Sequence, residues 1–232
     1  MRRLLIPLAL LTAANGVIFC LWPELDLALV EALRGADGFH DRVEGLRQLR
    51  AVLYFLPASL MALLVFVCIA ARYGVPVPKH LRPGLQTVLY LAVSLALGPG
   101  LIVNAGLKDH WHRPRPVQVA EFGGPFEFRP WYRTDGQCRR NCSFVSGEVA
   151  ASAWLIGAAS LAPASAKAPA VALAVAVTGA TALLRVAFGG HFPSDVLFAT
   201  LFTLILMVVL YHLWPRPEEG EGEGLRPRDP HL

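Results

Sequence analysis

The sequence predicts an all-α fold, a membrane-embedded bundle of six helical spans with an outward-facing polar loop region and a short interfacial helix. Three observations lead to it. Of the 232 residues, 55% are hydrophobic and only 16% charged, against roughly 25% charged in a soluble domain. The mean hydropathy is +0.48. The missing charge is concentrated in runs of about 20 residues, the length that crosses a hydrocarbon core. Such helices pack into one bundle, so residues 1–214 read as a single domain. A net charge of +4 in so apolar a chain gives no reason to expect a nucleic-acid partner.

The first apolar run covers residues 4–22. Arg2 and Arg3 stand in front of it as in a signal peptide, but no small-x-small cleavage site follows, so it reads as a retained span. Residues 24–50 mix charges with Leu25, Leu29, Val30 and Leu33 at helical spacing, which suits a helix lying along the interface. Residues 51–71 and 85–105 are the second and third spans. A polar stretch from Lys108 to Cys142, dense in Arg, Pro, Gly and aromatics, separates them from runs near 144–162, 168–188 and 196–214. The tail, 215–232, is charged and rich in Gly and Pro and reads as disordered.

Loop charge sets the orientation. Arg2, Arg3, Arg72, Lys79, Arg82, Lys167 and Arg216 would share one side, which the positive-inside rule makes cytoplasmic. The loop between spans three and four then faces outward, yet it holds Lys108, Arg113, Arg115, Arg129, Arg133, Arg139 and Arg140. So many cations on the disfavoured side imply an anion bound at the membrane surface. Cys20 and Cys68 lie in apolar runs and read as small buried hydrophobes. Cys138 and Cys142 sit in the polar loop without the further ligands zinc needs, and suit a short disulfide if the loop meets an oxidising compartment.

Three clusters at span ends on the outward side bear chemistry. The first runs from Lys108 through Arg113, Arg115 and Pro116, mixing an ammonium with the planar forks that phosphate recognition uses. The second, Ser143 to Glu148, opens a helix whose free N–H groups form an anion site, with Gly147 permitting close approach. The third holds Arg185, Gly189, Gly190, His191 and Asp195. His191 and Asp195 are one helical turn apart, and a carboxylate on one imidazole nitrogen raises the basicity of the other.

In this order the clusters resemble the type 2 phosphatidic acid phosphatase superfamily, with its K-x6-R-P, P-S-G-H and S-R-x5-H-x3-D motifs. Lys108, Arg115 and Pro116 fit the first, Ser146 and Gly147 the middle of the second, and Arg185, His191 and Asp195 the third. Leu184 replaces the serine of the third motif; Val145 and Glu148 replace the proline and histidine of the second. The resemblance implies a membrane lipid phosphatase that works without metal or cofactor. His191 would attack phosphorus to give a phosphohistidine, oriented by Asp195. Lys108, Arg115, Ser146, Gly147 and Arg185 would cradle the phosphate, and Glu148 would stand where the family has its general acid. In size and layout the chain is similar to bacterial lipid A 1-phosphatases. That implies the inner membrane with a periplasmic site. Glu148, as a general acid weakened by nearby cations, suits good leaving groups, so a glycosyl 1-phosphate or a polyprenyl diphosphate is preferred over phosphatidic acid. Phosphatidylglycerol phosphate and phosphatidic acid are further candidate substrates. Lipid-to-lipid phosphotransfer, or an inactive lipid-binding homologue, are the alternatives.

Overall fold

A computed structural model describes residues 4–78 and 81–215. Arg2, Arg3, Lys79, Arg216 and the tail from residue 216 onward, which entered the reading of topology and disorder, lie outside the described residues. Those described are all-helical apart from isolated bridges at Gly35–Gly38 and Val119–Phe126. The elements are α1 (Leu5–Leu21), α2 (Glu24–Leu33), α3 (Glu44–Arg72), α4 (Leu85–Leu95), a π-helical segment (Ala96–Leu107), the single turn α5 (Lys108–His110), α6 (Gly147–Ala159), α7 (Ala164–Ala187) and α8 (Pro193–Leu213).

Among the described residues, four helical stretches are long and apolar enough to cross a membrane: Glu44–Arg72, Leu85–His110, Ala164–Ala187 and Pro193–Leu213. A fifth arises if α1 and α2, bent by 94°, count as one broken span. Phe66 and Leu173, exposed on these helices, present side chains suited to lipid. The expected fourth span is the departure. Helix α6 has 13 residues, a rise of about 20 Å against a core of ~30 Å. It starts only at Gly147, where Ser146 Oγ caps it by accepting from the Val149 N–H at 3.4 Å. After Ala159 the chain turns toward Pro163. This short helix is nevertheless central, packed by α7, α8, the π segment and α3. Its small residues Gly147, Ala150, Ser152, Ala153 and Gly157 are buried and let neighbours approach closely. Met207 of α8 fills the space a side chain at Gly157 would need. Trp154, fully buried, donates Nε1–H to Ser94 Oγ at 2.9 Å and Leu91 O at 3.1 Å, tying α6 to α4.

Within 24–50, where a short interfacial helix is expected, the structure has a 10-residue helix. Only Glu24–Leu33 forms α2; Gly35 and Gly38 pair their backbones and Gly38 takes a φ of 111°, which ends the helix. Residues 44–50 belong instead to α3. Pro99 interrupts the third span, which continues as the π segment, and Asn104 Nδ2 donates to the Pro99 carbonyl at 2.7 Å. The long polar loop is pinned by aromatics: Trp111 stacks on Phe144 at 4.4 Å, and Trp131 packs on Phe198 of α8 at 4.7 Å.

Candidate active site

The fold brings the three clusters together. The end of the third span supplies Lys108, the following loop Arg115, the start of α6 Gly147 and Glu148, and the last turn of α7 Arg185. All line one cavity of about 630 Å³, with Asn104 and with Arg50 from α3. The lining also includes apolar residues, among them Phe55, Leu95 and Pro99. A pocket that combines several cations with apolar side chains suits an amphiphilic phosphate.

His191 lies in the turn between α7 and α8, 1% exposed. Gly189, at φ 63°, reverses the chain there, and the N–H groups of Gly190 and His191 both bond back to the Arg185 carbonyl. His191 Nδ1 meets the Ser143 carbonyl oxygen at 2.6 Å. A carbonyl only accepts, so Nδ1 carries the hydrogen and Nε2 keeps its lone pair. Burial, reinforced by the charges of Arg185, Arg115 and Lys108, holds the imidazole well below its usual titration range. The ring is therefore neutral at pH 7, as a nucleophile must be.

The expected contact between Asp195 and His191 is absent. Asp195 Oδ2 accepts from Ser143 Oγ at 2.5 Å and from the Phe192 N–H at 3.0 Å, and Oδ1 accepts from Arg113 Nη1 at 2.5 Å. The third residue of α8 is spent capping its own helix. Asp195 is thus linked to His191 only by way of Ser143, whose hydroxyl bonds Asp195 and whose carbonyl bonds the imidazole. Arg113 is not at the cavity. Fully buried, it donates to Asp26 of α2 at 2.7 Å, to Ser194 Oγ at 2.9 Å and to the Arg129 carbonyl at 2.8 Å, and stacks on Phe192. Asp26 in turn accepts from Ser194 N and Oγ at 2.9 and 2.7 Å. Of the two arginines in R-P-R-P, only Arg115 reaches the cavity.

Arg115 Nε and Nη2 donate to the Asn141 carbonyl at 3.0 and 2.7 Å, and Lys108 Nζ approaches Asn141 Oδ1 at 3.4 Å. Asn141, at φ 51°, sits in the small ring closed by Cys138 and Cys142, which are disulfide-bonded. The structure thus settles a pairing the sequence left open. Ser146, expected to touch phosphate, is fully buried as the cap of α6 and does not line the cavity. Gly147 does, and a Cβ there would stand 2.6 Å from Asn104 Oδ1 and 3.3 Å from Lys108 Nζ. Arg185, expected to hold phosphate, lines the cavity; its Nε is buried without an acceptor among the described residues and its Nη1 stands 3.5 Å from Glu148 Oε1.

Glu148 departs from the role of general acid. Arg50 grips it with both arms, Nε to Oε2 at 2.9 Å and Nη2 to Oε1 at 2.5 Å, and Arg185 Nη1 stands 3.5 Å from Oε1. A carboxylate between two guanidinium groups is held ionised and has no proton to give. Arg50 itself was missed. It falls in the stretch read as interfacial, and the available signal was its place directly before the second apolar run, at the outward end.

His191 is buried and does not itself line the cavity, but the cations that line it, Lys108, Arg115 and Arg185, are those that bear on its imidazole, an arrangement suited to handling phosphate. The chain belongs to the PAP2 superfamily, which residues 87–218 match. It is 33% identical to the lipid A 4'-phosphatase of Francisella tularensis subsp. novicida over 213 residues, 88% of this chain and 92% of that protein. It is 34% identical to the lipid A 4'-phosphatase of Rhizobium leguminosarum over 171 residues, 71% of this chain and 70% of that one. Among solved structures it resembles a PAP2-type phosphatidylglycerolphosphate phosphatase from Bacillus subtilis. The TM-score is 0.57 and the identity 19%, covering 90% of this chain and 94% of the other. The fold is therefore that of the PAP2 transmembrane phosphatases. The relatives named for lipid A carry 4'-phosphatase names, where the sequence reading leaned toward the 1-phosphatases.

Proposed function

We propose that the protein is a lipid A 4'-phosphatase of the bacterial inner membrane, working through a phosphohistidine at His191. The observation that carries the reading is the cavity itself, which gathers Lys108, Arg115 and Arg185, the same three charges that bear on the His191 imidazole. The near full-length relatedness to a 4'-phosphatase supports the choice of substrate. In the first step His191 Nε2 attacks phosphorus. The N–P bond forms as the P–O bond to the sugar breaks, and the departing oxygen takes a proton from the wet cavity. Water then attacks the phosphohistidine, releasing inorganic phosphate and restoring His191. The three cations and the free amides of the first turn of α6 neutralise charge on the non-bridging oxygens. The apolar lining residues hold acyl chains, so the headgroup reacts without leaving the bilayer.

A 4'-phosphate leaves as a sugar alkoxide, a poorer leaving group than the anomeric 1-oxygen, so the leaving-group preference expected from Glu148 does not carry over. With Glu148 ion-paired, stabilisation rests on the cations rather than on a carboxylic acid. The outward cluster of cations and the disulfide-closed ring support a periplasmic site, which requires the six crossings read from the sequence, with α6 completing a crossing alongside its neighbours. Bis-phosphorylated lipid A incubated with the purified protein should lose one phosphate from the distal sugar, as located by tandem mass spectrometry. Loss from the reducing-end sugar, or no loss, would overturn the assignment. His191→Ala should abolish turnover and the acid-labile, base-stable phosphoprotein trapped in wild type.

A further inference from the structure

We infer that Arg50 is a fourth phosphate-contacting cation, and that Arg50 and Glu148 act as a charge-compensating pair within the anion site. This rests on the phosphatase reading above. Glu148 stands where the resembled second motif has a histidine, so the departure places a negative charge inside a phosphate cavity, 3.5 Å from Arg185. Alone it would repel the substrate and occupy the guanidinium meant for it. Arg50 answers that charge from α3, 98 positions away in sequence and outside the residues 87–218 that match the superfamily. The family cations Lys108, Arg115 and Arg185 make three positive charges in the cavity; adding Glu148 and Arg50 returns the total to three.

The geometry is that of a built contact, not of a loose surface pair. The Glu148 side chain is 14% exposed, and Arg50 engages both its oxygens at 2.9 and 2.5 Å. A fork held on two points cannot swing away, unlike the exposed Arg47–Glu44 pair one turn earlier. Arg50 Nε and Nη2 are spent on Glu148, whereas Nη1 bonds no acceptor among the described residues. Arg50 is 40% exposed and lines the cavity that Lys108, Arg115 and Arg185 line. Its unpaired Nη1 is the donor left for a phosphate in that cavity. Arg50 is a binding residue on this account, and Glu148 a positioning residue that orients both Arg50 and Arg185.

The test is a double-mutant cycle read by binding as well as turnover. Wild type, Arg50→Gln, Glu148→Gln, Arg50→Lys and the Arg50→Gln/Glu148→Gln double variant are purified in detergent. Each is assayed for inhibition and thermal stabilisation by orthovanadate and inorganic phosphate. Arg50→Gln leaves Glu148 uncompensated and should weaken vanadate by about tenfold or more, the worth of a charge-assisted hydrogen bond. Removing both charges should recover the part of that loss that comes from the uncompensated Glu148, the missing Arg50 contact accounting for the rest, and Arg50→Lys, which keeps the charge without the fork, should fall between wild type and Arg50→Gln. Vanadate affinity unchanged in Arg50→Gln, or a double variant no tighter than Arg50→Gln alone, would overturn the inference. So would kcat/KM in Glu148→Gln losing a basic limb that wild type has, which is the signature of a general acid. Failure of wild type to bind either anion would overturn the phosphatase reading as well, a result distinct from these.

Discussion

Replacing Asp26 tests whether the bent α1–α2 pair is part of the catalytic apparatus or only an anchor beside it. Asp26 is 1% exposed and accepts three hydrogen bonds, from Arg113 Nη2 at 2.7 Å, Ser194 N at 2.9 Å and Ser194 Oγ at 2.7 Å. Asp26→Ala leaves the fully buried Arg113 with one carboxylate instead of two and orphans the Ser194 amide. Removing one partner of a buried ion pair destabilises by about 3–5 kcal/mol. Asp195 stays paired to Arg113, so the lower end, about 3 kcal/mol, applies here. For a chain of this size that is a fall in Tm of about 6–12 °C. Asp26→Asn keeps an acceptor for the Ser194 amide and should lose less. The effect should also reach His191, because Arg113 holds Asp195, Asp195 holds Ser143 Oγ and the Ser143 carbonyl holds the imidazole. Assayed well below its melting point, Asp26→Asn should show a reduced kcat with KM little changed, since no phosphate contact is touched. Thermal unfolding followed by tryptophan fluorescence in detergent, with kinetics on the same preparation, reads both quantities. An Asp26→Ala protein that melts within about 2 °C of wild type, less than even 1 kcal/mol would shift it, refutes the energetics. An Asp26→Asn protein that melts lower but keeps full kcat refutes the relay to His191.

The two arginines of R-P-R-P should separate cleanly. Arg115→Ala should lower kcat/KM by about two orders of magnitude, as for loss of one oxyanion donor, with little change in Tm; Arg113→Ala should lower Tm by more than Asp26→Ala, because it strands both Asp26 and Asp195. Equal thermal losses, or the larger kinetic loss at Arg113 in well-folded protein, would contradict the cavity assignment. The acidic limb of kcat/KM due to His191 should lie below the ordinary imidazole value of 6.5, because the folded site keeps the ring neutral. The unfolded chain takes up that proton near 6.5 and the native protein only at lower pH. Stability should accordingly be full above that value and fall as pH drops toward the native one. A Tm–pH slope over this window as steep in His191→Ala as in wild type would show that another group is responsible.

The sequence made the motif residues legible because each motif is local. Lys108 and Arg115, Ser146 and Gly147, Arg185 and His191 each fall within one turn or loop, and the spans on either side fix which end they share. What it hid were pairings made across the bundle. Glu148 looks like an acid in sequence and becomes an ionised partner only when α3 delivers Arg50 to it. Asp195 looks like the natural partner of His191, one turn away, but Arg113, Ser143 and its own helix amide claim its oxygens first. Asp26 carried no signal at all in an apparently amphipathic segment. Hydropathy gave α6 a full span because it counts apolar residues without seeing where a helix begins; Ser146 starts it late, and burial by neighbours replaces the length it lacks.

The disulfide-closed ring has a consequence for timing. Its Asn141 steadies the guanidinium of Arg115 and stands beside the ammonium of Lys108, so the anion site takes its final shape only after Cys138 and Cys142 have lost their hydrogens. A chain whose loop still carries reduced thiols holds His191 in place but leaves this pair of cations untethered. Oxidation of the loop and completion of this cation pair thus become one event.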